Sequence, residues 1–315
     1  MSPSSCNDYQ YLFGPVPSRR FGRSLGVDLV PMKTCPLNCV YCQLGPTAHP
    51  TTQRAEYLPT EAILEEIQRR VQRADFDVIT LSGSGEPTLH SELGRIVEHI
   101  KQCTDKPLVL LTNGVLFQDP EVRRACLPID ILVPSLDAGD EKLFQYINRP
   151  APGWTLERLV TGLETFRPDY AGQIWLEVFL LGGVNDMQTE IRKIKTLADR
   201  IHPDRIQLNT VTRPAAEEFA FKTPEEQLQR VQAILGPKAE IIASSHKGRC
   251  EPAAAQANRE QILAMLRRRP CTLEDIAQGL GASPNEVVKY IEELASRGRV
   301  TRVRTQGRAY YKATT

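Results

Sequence analysis

Three cysteines within the eight residues Cys35-Pro36-Leu37-Asn38-Cys39-Val40-Tyr41-Cys42 constrain this chain more than any other feature. With three and then two residues between them, they can wrap one short loop around a metal centre. A [4Fe-4S] cube usually takes four thiolates, so three would leave one iron without a protein ligand. Two other readings compete: a structural zinc knuckle lacking its fourth ligand, and cysteines that simply sit in a core. A zinc site normally shows a second ligand pair nearby, which favours the cluster.

The other five cysteines, Cys6, Cys103, Cys126, Cys250 and Cys271, are scattered and odd in number. They suggest neither a disulfide framework nor a second cluster, and they agree with a reducing compartment. The first residues lack a basic and then apolar leader pattern, and no run is long enough to cross a bilayer, so a cytoplasmic protein without membrane contact is expected. At 315 residues the natural expectation is two units. Charge divides the same way. From Gln256 to Thr315 eleven basic side chains face six acidic ones, a net +5 in a chain of net charge +1, which leaves the remainder at −4.

Tyr11 to Arg23, rich in Gly and Pro, reads as an irregular lead-in to a strand over Ser24–Val30. Its Arg19, Arg20 and Arg23 are candidates for a phosphate or carboxylate contact, with plain surface charge as the alternative. Helix and strand periods then alternate. Helices are expected over Thr60–Val71, Leu93–Ile100, Glu121–Ala125, Glu141–Ile147, Leu156–Phe166, Thr189–Arg200 and Glu225–Leu235. Strands are expected over Asp77–Leu81, Leu108–Leu111, Ile129–Val133, Ile174–Leu180, Arg205–Asn209 and Ala239–Ala243. Six strand-helix units imply an α/β fold with a parallel sheet and crossover helices. The five histidines form no i, i+4 pair and read as surface or capping residues. There is no Ser/His/Asp set, Walker loop or dinucleotide fingerprint.

Cys35-x3-Cys39-x2-Cys42, with Tyr41 just before the last cysteine, resembles the cluster loop of the radical SAM superfamily. The resemblance implies a partial, open (β/α)6 barrel, a [4Fe-4S] cluster on Cys35, Cys39 and Cys42, and S-adenosylmethionine (SAM) chelating the open iron. It also implies an electron donor such as flavodoxin or ferredoxin, and reductive cleavage of SAM to a 5'-deoxyadenosyl radical that abstracts hydrogen from a substrate. In a parallel barrel the chemistry sits at the C-terminal strand ends. Ser82-Gly83-Ser84-Gly85-Glu86-Pro87-Thr88, after the second strand, is similar to the family's Gly-Gly-Glu-Pro loop, with Ser84 where its first glycine is expected. On that resemblance Tyr41, Gly83, Gly85, Glu86, Pro87, Thr112, Ser135 and Asp137 are SAM-site candidates, Glu86 through an ammonium group. Turn and cap chemistry is the alternative for Thr112, Ser135 and Asp137. Arg20, Arg23, Glu177, Asn209 and Arg213 are substrate candidates; Glu177, acidic in an apolar strand, is expected to face the barrel lumen. Gly14-Pro15-Val16-Pro17-Ser18-Arg19-Arg20, with Gly26-Val27-Asp28, resembles an incompletely characterised branch near the wyosine-type tRNA-modifying synthases.

The barrel is expected to occupy residues 1–250, a linker 251–258, and a second unit 259–315. In that unit three helices are expected, the second opened by a capping box at Thr272 and Asp275, the third capped from Ser283. A basic hairpin follows, and the whole resembles a winged helix-turn-helix. Glu286, Glu292 and Glu293 beside Lys289 make the third helix a poor complement for duplex phosphates. The favoured macromolecular substrate is RNA. Peptide or protein modification is the enzyme alternative, and an iron-sulfur redox-sensing DNA-binding regulator the non-enzyme one.

Overall fold

The computed structural model describes residues 9–242, 259–280, 282–305 and 307–314. Apolar runs buried on both faces make a mostly parallel sheet of eight strands. They are β1 (Leu12–Ser18), β2 (Gly22–Val27), β3 (Val78–Leu81), β4 (Leu108–Thr112), β5 (Ile131–Pro134), β6 (Gln173–Leu180), β7 (Arg205–Thr210) and β8 (Ala239–Ile241), in that spatial order. Every neighbouring pair from β2 to β8 is parallel; β1 alone runs antiparallel, to β2. The crossovers carry α1 (Thr60–Val71), α2 (Leu93–Cys103), α3 (Pro120–Cys126), α4 (Glu141–Ile147), α5 (Leu156–Phe166), α6 (Gln188–Ile201) and α7 (Glu225–Leu235).

Strand alternation sorts the side chains into two layers. Ile79, Leu81, Leu108, Leu110, Leu132, Ile174, Leu176 and Val178 join the helices in the main core. Val78, Val109, Val133 and Trp175 form a second cluster on the other face, with Phe21, Leu111 and Ile131 against it. Phe21, in the β1–β2 turn, stacks on Trp175 of β6 with centroids 5.2 Å apart. Arg20 of the same turn is ion-paired with Glu177, so Glu177 faces the concave side as expected. A turn beside β2 reaches a strand four places along the sheet only if the sheet curls.

Two expectations fail at the start of the chain. The lead-in contains a real strand, β1, because an edge strand tolerates prolines that a central one would not. The strand expected over Ser24–Val30 ends at Val27, where the backbone turns into the cysteine loop. His90 is not a surface residue: it is fully buried, with Nε2 2.9 Å from the Leu58 carbonyl.

Beyond the described part of β8, residues 259–314 form α8 (Arg259–Arg268), α9 (Leu273–Leu280), α10 (Pro284–Ser296) and a hairpin of β9 (Val300–Thr305) and β10 (Arg308–Ala313), around their own core. The proposed linker, Ala243 and Gly281 lie outside the described residues. Thr272 and Asp275 exchange backbone-to-side-chain bonds of 3.2 and 3.1 Å at the start of α9, the expected reciprocal cap. Ser283 precedes α10 without a side-chain cap bond; Pro284 at the first helical position supplies the start instead. The unit touches both borders of the curled sheet. Arg268 lies 4.5 Å over the Phe13 ring of β1, and the Tyr310 hydroxyl donates to the Thr212 carbonyl, just past β7, at 2.7 Å. No helix of the described residues is long and apolar enough to cross a membrane.

Candidate radical SAM site

The cysteine loop leaves the end of β2 and is clamped to the loop after β3. Lys33 N donates to Ser84 O at 2.7 Å, and Glu86 N to Thr34 O at 2.9 Å. Gly85 makes the approach feasible, since a Cβ there would stand 2.1 Å from Thr34 O. Gly83 has φ +133, open to glycine, and its missing Cβ leaves room for the Asp28 carboxylate. Asp28 in turn accepts from Ser84 N at 2.9 Å and from the Ser84 hydroxyl. Ser84, the departure from the family pattern, is thus tied down by a buried acid.

Glu86 is buried and engaged by this chain. Its carboxylate accepts from Thr88 N (3.1 Å), Thr88 Oγ1 (2.6 Å), Thr112 Oγ1 (2.7 Å) and Asn113 N (2.8 Å). It caps the 3-10 turn begun by Pro87 and joins the β3 and β4 strand ends. Burial pushes its carboxyl up, and these donors pull it back. The expected pairing with an ammonium group is therefore secondary to this scaffolding.

Asp137, past the end of β5, is equally enclosed. It accepts from the Tyr41 hydroxyl at 2.5 Å, Asn148 Nδ2 at 2.8 Å and Phe179 N at 3.0 Å. Tyr41 stacks on Phe179 with centroids 3.9 Å apart and planes 11° apart. Ser135 is held between neighbours through its backbone, its N donating to Thr112 O at 3.2 Å. Tyr41, Gly83, Gly85, Glu86, Pro87, Thr112, Ser135 and Asp137 thus gather at the C-terminal strand ends.

Each cysteine sulfur meets an N–H donor. Cys35 Sγ is 3.5 Å from Asn113 Nδ2 and from Leu37 N; Cys39 Sγ is 3.5 Å from Asn148 Nδ2; Cys42 Sγ is 3.2 Å from Lys33 Nζ. Such donors suit thiolates and tune iron-sulfur clusters. All three cysteines are free. Burial pushes the Cys35 thiol up to about 12 and raises Cys39 further, so only a bound cation would hold them as thiolates. Among the described residues no three His, Cys, Asp or Glu side chains are gathered for a single metal ion. A four-sulfur zinc site draws its ligands to about 2.3 Å from one atom, whereas thiolates on separate corners of a cube stand farther apart. The donor set fits the cluster.

The substrate candidates separate. Arg20 and Glu177 satisfy one another on the concave face. Asn209 is buried, its Oδ1 accepting from Thr210 N at 3.0 Å. Arg213 leans to the C-terminal unit, 3.5 Å from Asp275. Arg23 is not brought to the site: it pairs with Asp75 and Asp77 where β2 and β3 begin, at the opposite end of the sheet.

Four partners escaped sequence reasoning. Lys33 carried one signal, its place two residues before Cys35, and it adopts φ +64. Asn113 lay in an Asn-Gly that reads as a turn. Asn148 and Asn185 carried none. Asn185 is fully buried and donates to Asp137 O at 2.7 Å and Phe179 O at 2.8 Å.

The family model "Radical SAM superfamily" matches residues 29–197, from the cysteine loop into α6. The chain belongs to the radical SAM superfamily. That superfamily's cofactors are a [4Fe-4S] cluster and SAM, so Cys35, Cys39 and Cys42 are the ligands that this radical SAM chain has to offer. A UPF0026 protein of Methanocaldococcus jannaschii is 30% identical over 306 residues, covering 95% of this chain and 94% of that one. A protein named GTPase Obg from Brachyspira hyodysenteriae is 36% identical over 292 residues, but the chain spans only 43% of its length. A probable dual-specificity RNA methyltransferase RlmN of Chlorobaculum tepidum is 24% identical over 178 residues, 53% of this chain and 46% of that one. In fold, the chain is similar to a radical SAM methyltransferase from Sphaerobacter thermophilus, with TM-score 0.52 and 18% identity over 69% of this chain and 66% of that one.

Proposed function

We propose that this chain is an RNA-modifying radical SAM enzyme, with its catalytic unit in residues 1–250, a linker at 251–258 and a winged helix-turn-helix at 259–315. The observation that carries the chemistry is the set of N–H donors on all three cysteine sulfurs, in a loop clamped to Ser82–Pro87. When bound, the cluster and SAM supply one-electron cleavage of a carbon-sulfur bond and hydrogen abstraction from the substrate. The residues of this chain hold and screen them. Gly83, Gly85, Pro87, Thr112 and Ser135 shape the ligand cradle, Glu86 and Asp137 brace it, and Tyr41 on Phe179 closes its floor. Reducing surroundings and an electron donor of the flavodoxin or ferredoxin type follow from that chemistry.

Two surface features support RNA. Arg299, Arg302, Arg304, Arg308 and Lys312 are exposed along the hairpin, a sequence-independent phosphate surface. Near the cysteine loop, Tyr146 (48% exposed) lies 5.6 Å from Phe219, and Phe221 is 60% exposed, which suits stacking of unpaired bases. The methyltransferase of C. tepidum, an RNA enzyme by its name, agrees with this reading. The DNA-binding regulator is disfavoured by α10, where Glu292 is exposed beside Lys289 and Glu293 pairs with Arg259 and Arg297. The test is anaerobic reconstitution with reductant and SAM, with and without bulk RNA. Release of 5'-deoxyadenosine stimulated by RNA is the expected result. Release stimulated by peptides instead would establish the protein-modifying alternative, and no release with tight duplex DNA binding would establish the regulator.

A further inference from the structure

Three segments meet where the C-terminal unit crosses the open side of the curled sheet: the β1–β2 turn, the loop after β7, and the residues following α8. Each brings an arginine, Arg19, Arg213 and Arg269. The Arg213 side chain is 17% exposed, and its Nε is buried with no acceptor among the described residues. Its carboxylate neighbour Asp275, at 3.5 Å, is beyond the usual span of about 2.7–2.9 Å for a charge-assisted bond. That Asp275 oxygen already accepts from Thr272 N to cap α9.

The three guanidinium groups feel one another. Burial first, then the charges of Arg213 and Arg269, push Arg19 down to about 10, while Asp275 opposes them. Arg269 is lowered by burial and then by Arg213. Like charges held together out of water call for an anion between them. Guanidinium forks match the oxygens of phosphate in shape and in hydrogen-bonding direction. Arg20, next to Arg19, reaches Glu177 on the concave face, two residues before Phe179 under Tyr41. An anion held here therefore anchors a molecule that extends along that face toward the cysteine loop.

We propose that Arg19, Arg213 and Arg269 form one site for a phosphate group of the substrate, completed only when the C-terminal unit docks against the sheet. This deepens the RNA reading and rests on it: the phosphate belongs to a ribonucleotide, as a terminal monoester or an internal diester. The site itself is tested without turnover, by calorimetric titration of the full chain with inorganic phosphate, adenosine 5'-monophosphate and a short oligoribonucleotide lacking terminal phosphates. Arg269→Gln is expected to weaken inorganic phosphate binding by roughly tenfold or more, the scale of a lost charged contact. Asp275→Asn keeps an oxygen for the α9 cap and removes the competing charge, so it is expected to tighten binding. A junction that is only structural moves neither value upward. Unchanged phosphate binding in Arg269→Gln, weaker binding in Asp275→Asn, or no binding of phosphate to the wild-type chain overturns the site. Preference for the monophosphate or for the oligoribonucleotide identifies the monoester or the diester. Phosphate binding that follows the two variants as expected, without competition from either ribonucleotide probe, keeps the anion site and sinks the RNA reading.

Discussion

Tyr41 and Asp137 are 96 positions apart in sequence and share a hydrogen bond of 2.5 Å, which fastens the cysteine loop to the end of β5. Both groups are buried, and the carboxylate has two further donors, Asn148 and Phe179 N. Burial raises the Asp137 carboxyl and the Tyr41 hydroxyl alike. A proton therefore stays between them at neutral pH, and the bond holds the Tyr41 ring flat on Phe179.

Removing that hydroxyl leaves a buried acid short of one donor. Tyr41→Phe is expected to cost about 1–3 kcal/mol. Thermal unfolding of the metal-free chain checks this, and iron content after reconstitution reports whether the loop still closes.

Gly85→Ala places a methyl group where Thr34 O stands, 2.1 Å away. The cysteine loop and the loop after β3 then have to part. A destabilisation of about 1–3 kcal/mol is expected, with a larger loss of SAM affinity. Equilibrium binding of SAM to the reconstituted variant distinguishes this from a uniform loss of stability.

Asp28 gives a pH signature. Burial raises its carboxyl, against the opposing bonds from Ser84. A folded-state value above the unfolded one means that the folded chain binds this proton more tightly. Its stability contribution is complete below about pH 3.9 and is lost as pH rises through the raised value. The wild-type chain should therefore lose ground to Asp28→Asn as pH climbs through that window and hold a constant difference above it. Paired denaturation curves across the acid range provide the measurement; a difference that does not change with pH rejects the assignment.

Arg20 and Glu177 are 11% and 17% exposed, a buried ion pair. Removing one partner strands the other charge, so Arg20→Met is expected to cost about 3–5 kcal/mol. Arg20→Met with Glu177→Gln should recover part of that loss. Chemical denaturation of the two single variants and the double variant gives the coupling.

The parallel part of the fold was legible because strands buried on both faces, such as Ile131–Pro134, must be apolar throughout, and turns separate them from stripe-bearing helices. β1 was not, because Gly14, Pro15 and Pro17 forbid a central strand but not a border one. Arg23 was misplaced although strand direction held the answer: a residue at the start of a parallel strand lies at the end away from the chemistry. The cysteine loop and its glycine-rich neighbour were legible as local patterns. The donors to the sulfurs were not, since Asn148 reaches Cys39 across 109 residues, and one-dimensional spacing does not reveal such an encounter. Glu86 was read for its charge, whereas its four donors make it a brace.

The bond from Tyr310 to Thr212 and the pairing of Asp275 with Arg213 give the last 57 residues, from Arg259 onward, a stake in the catalytic half. Truncation after β8 would not yield a minimal catalyst. It would uncover Phe13 and leave the reaction chamber with one side missing.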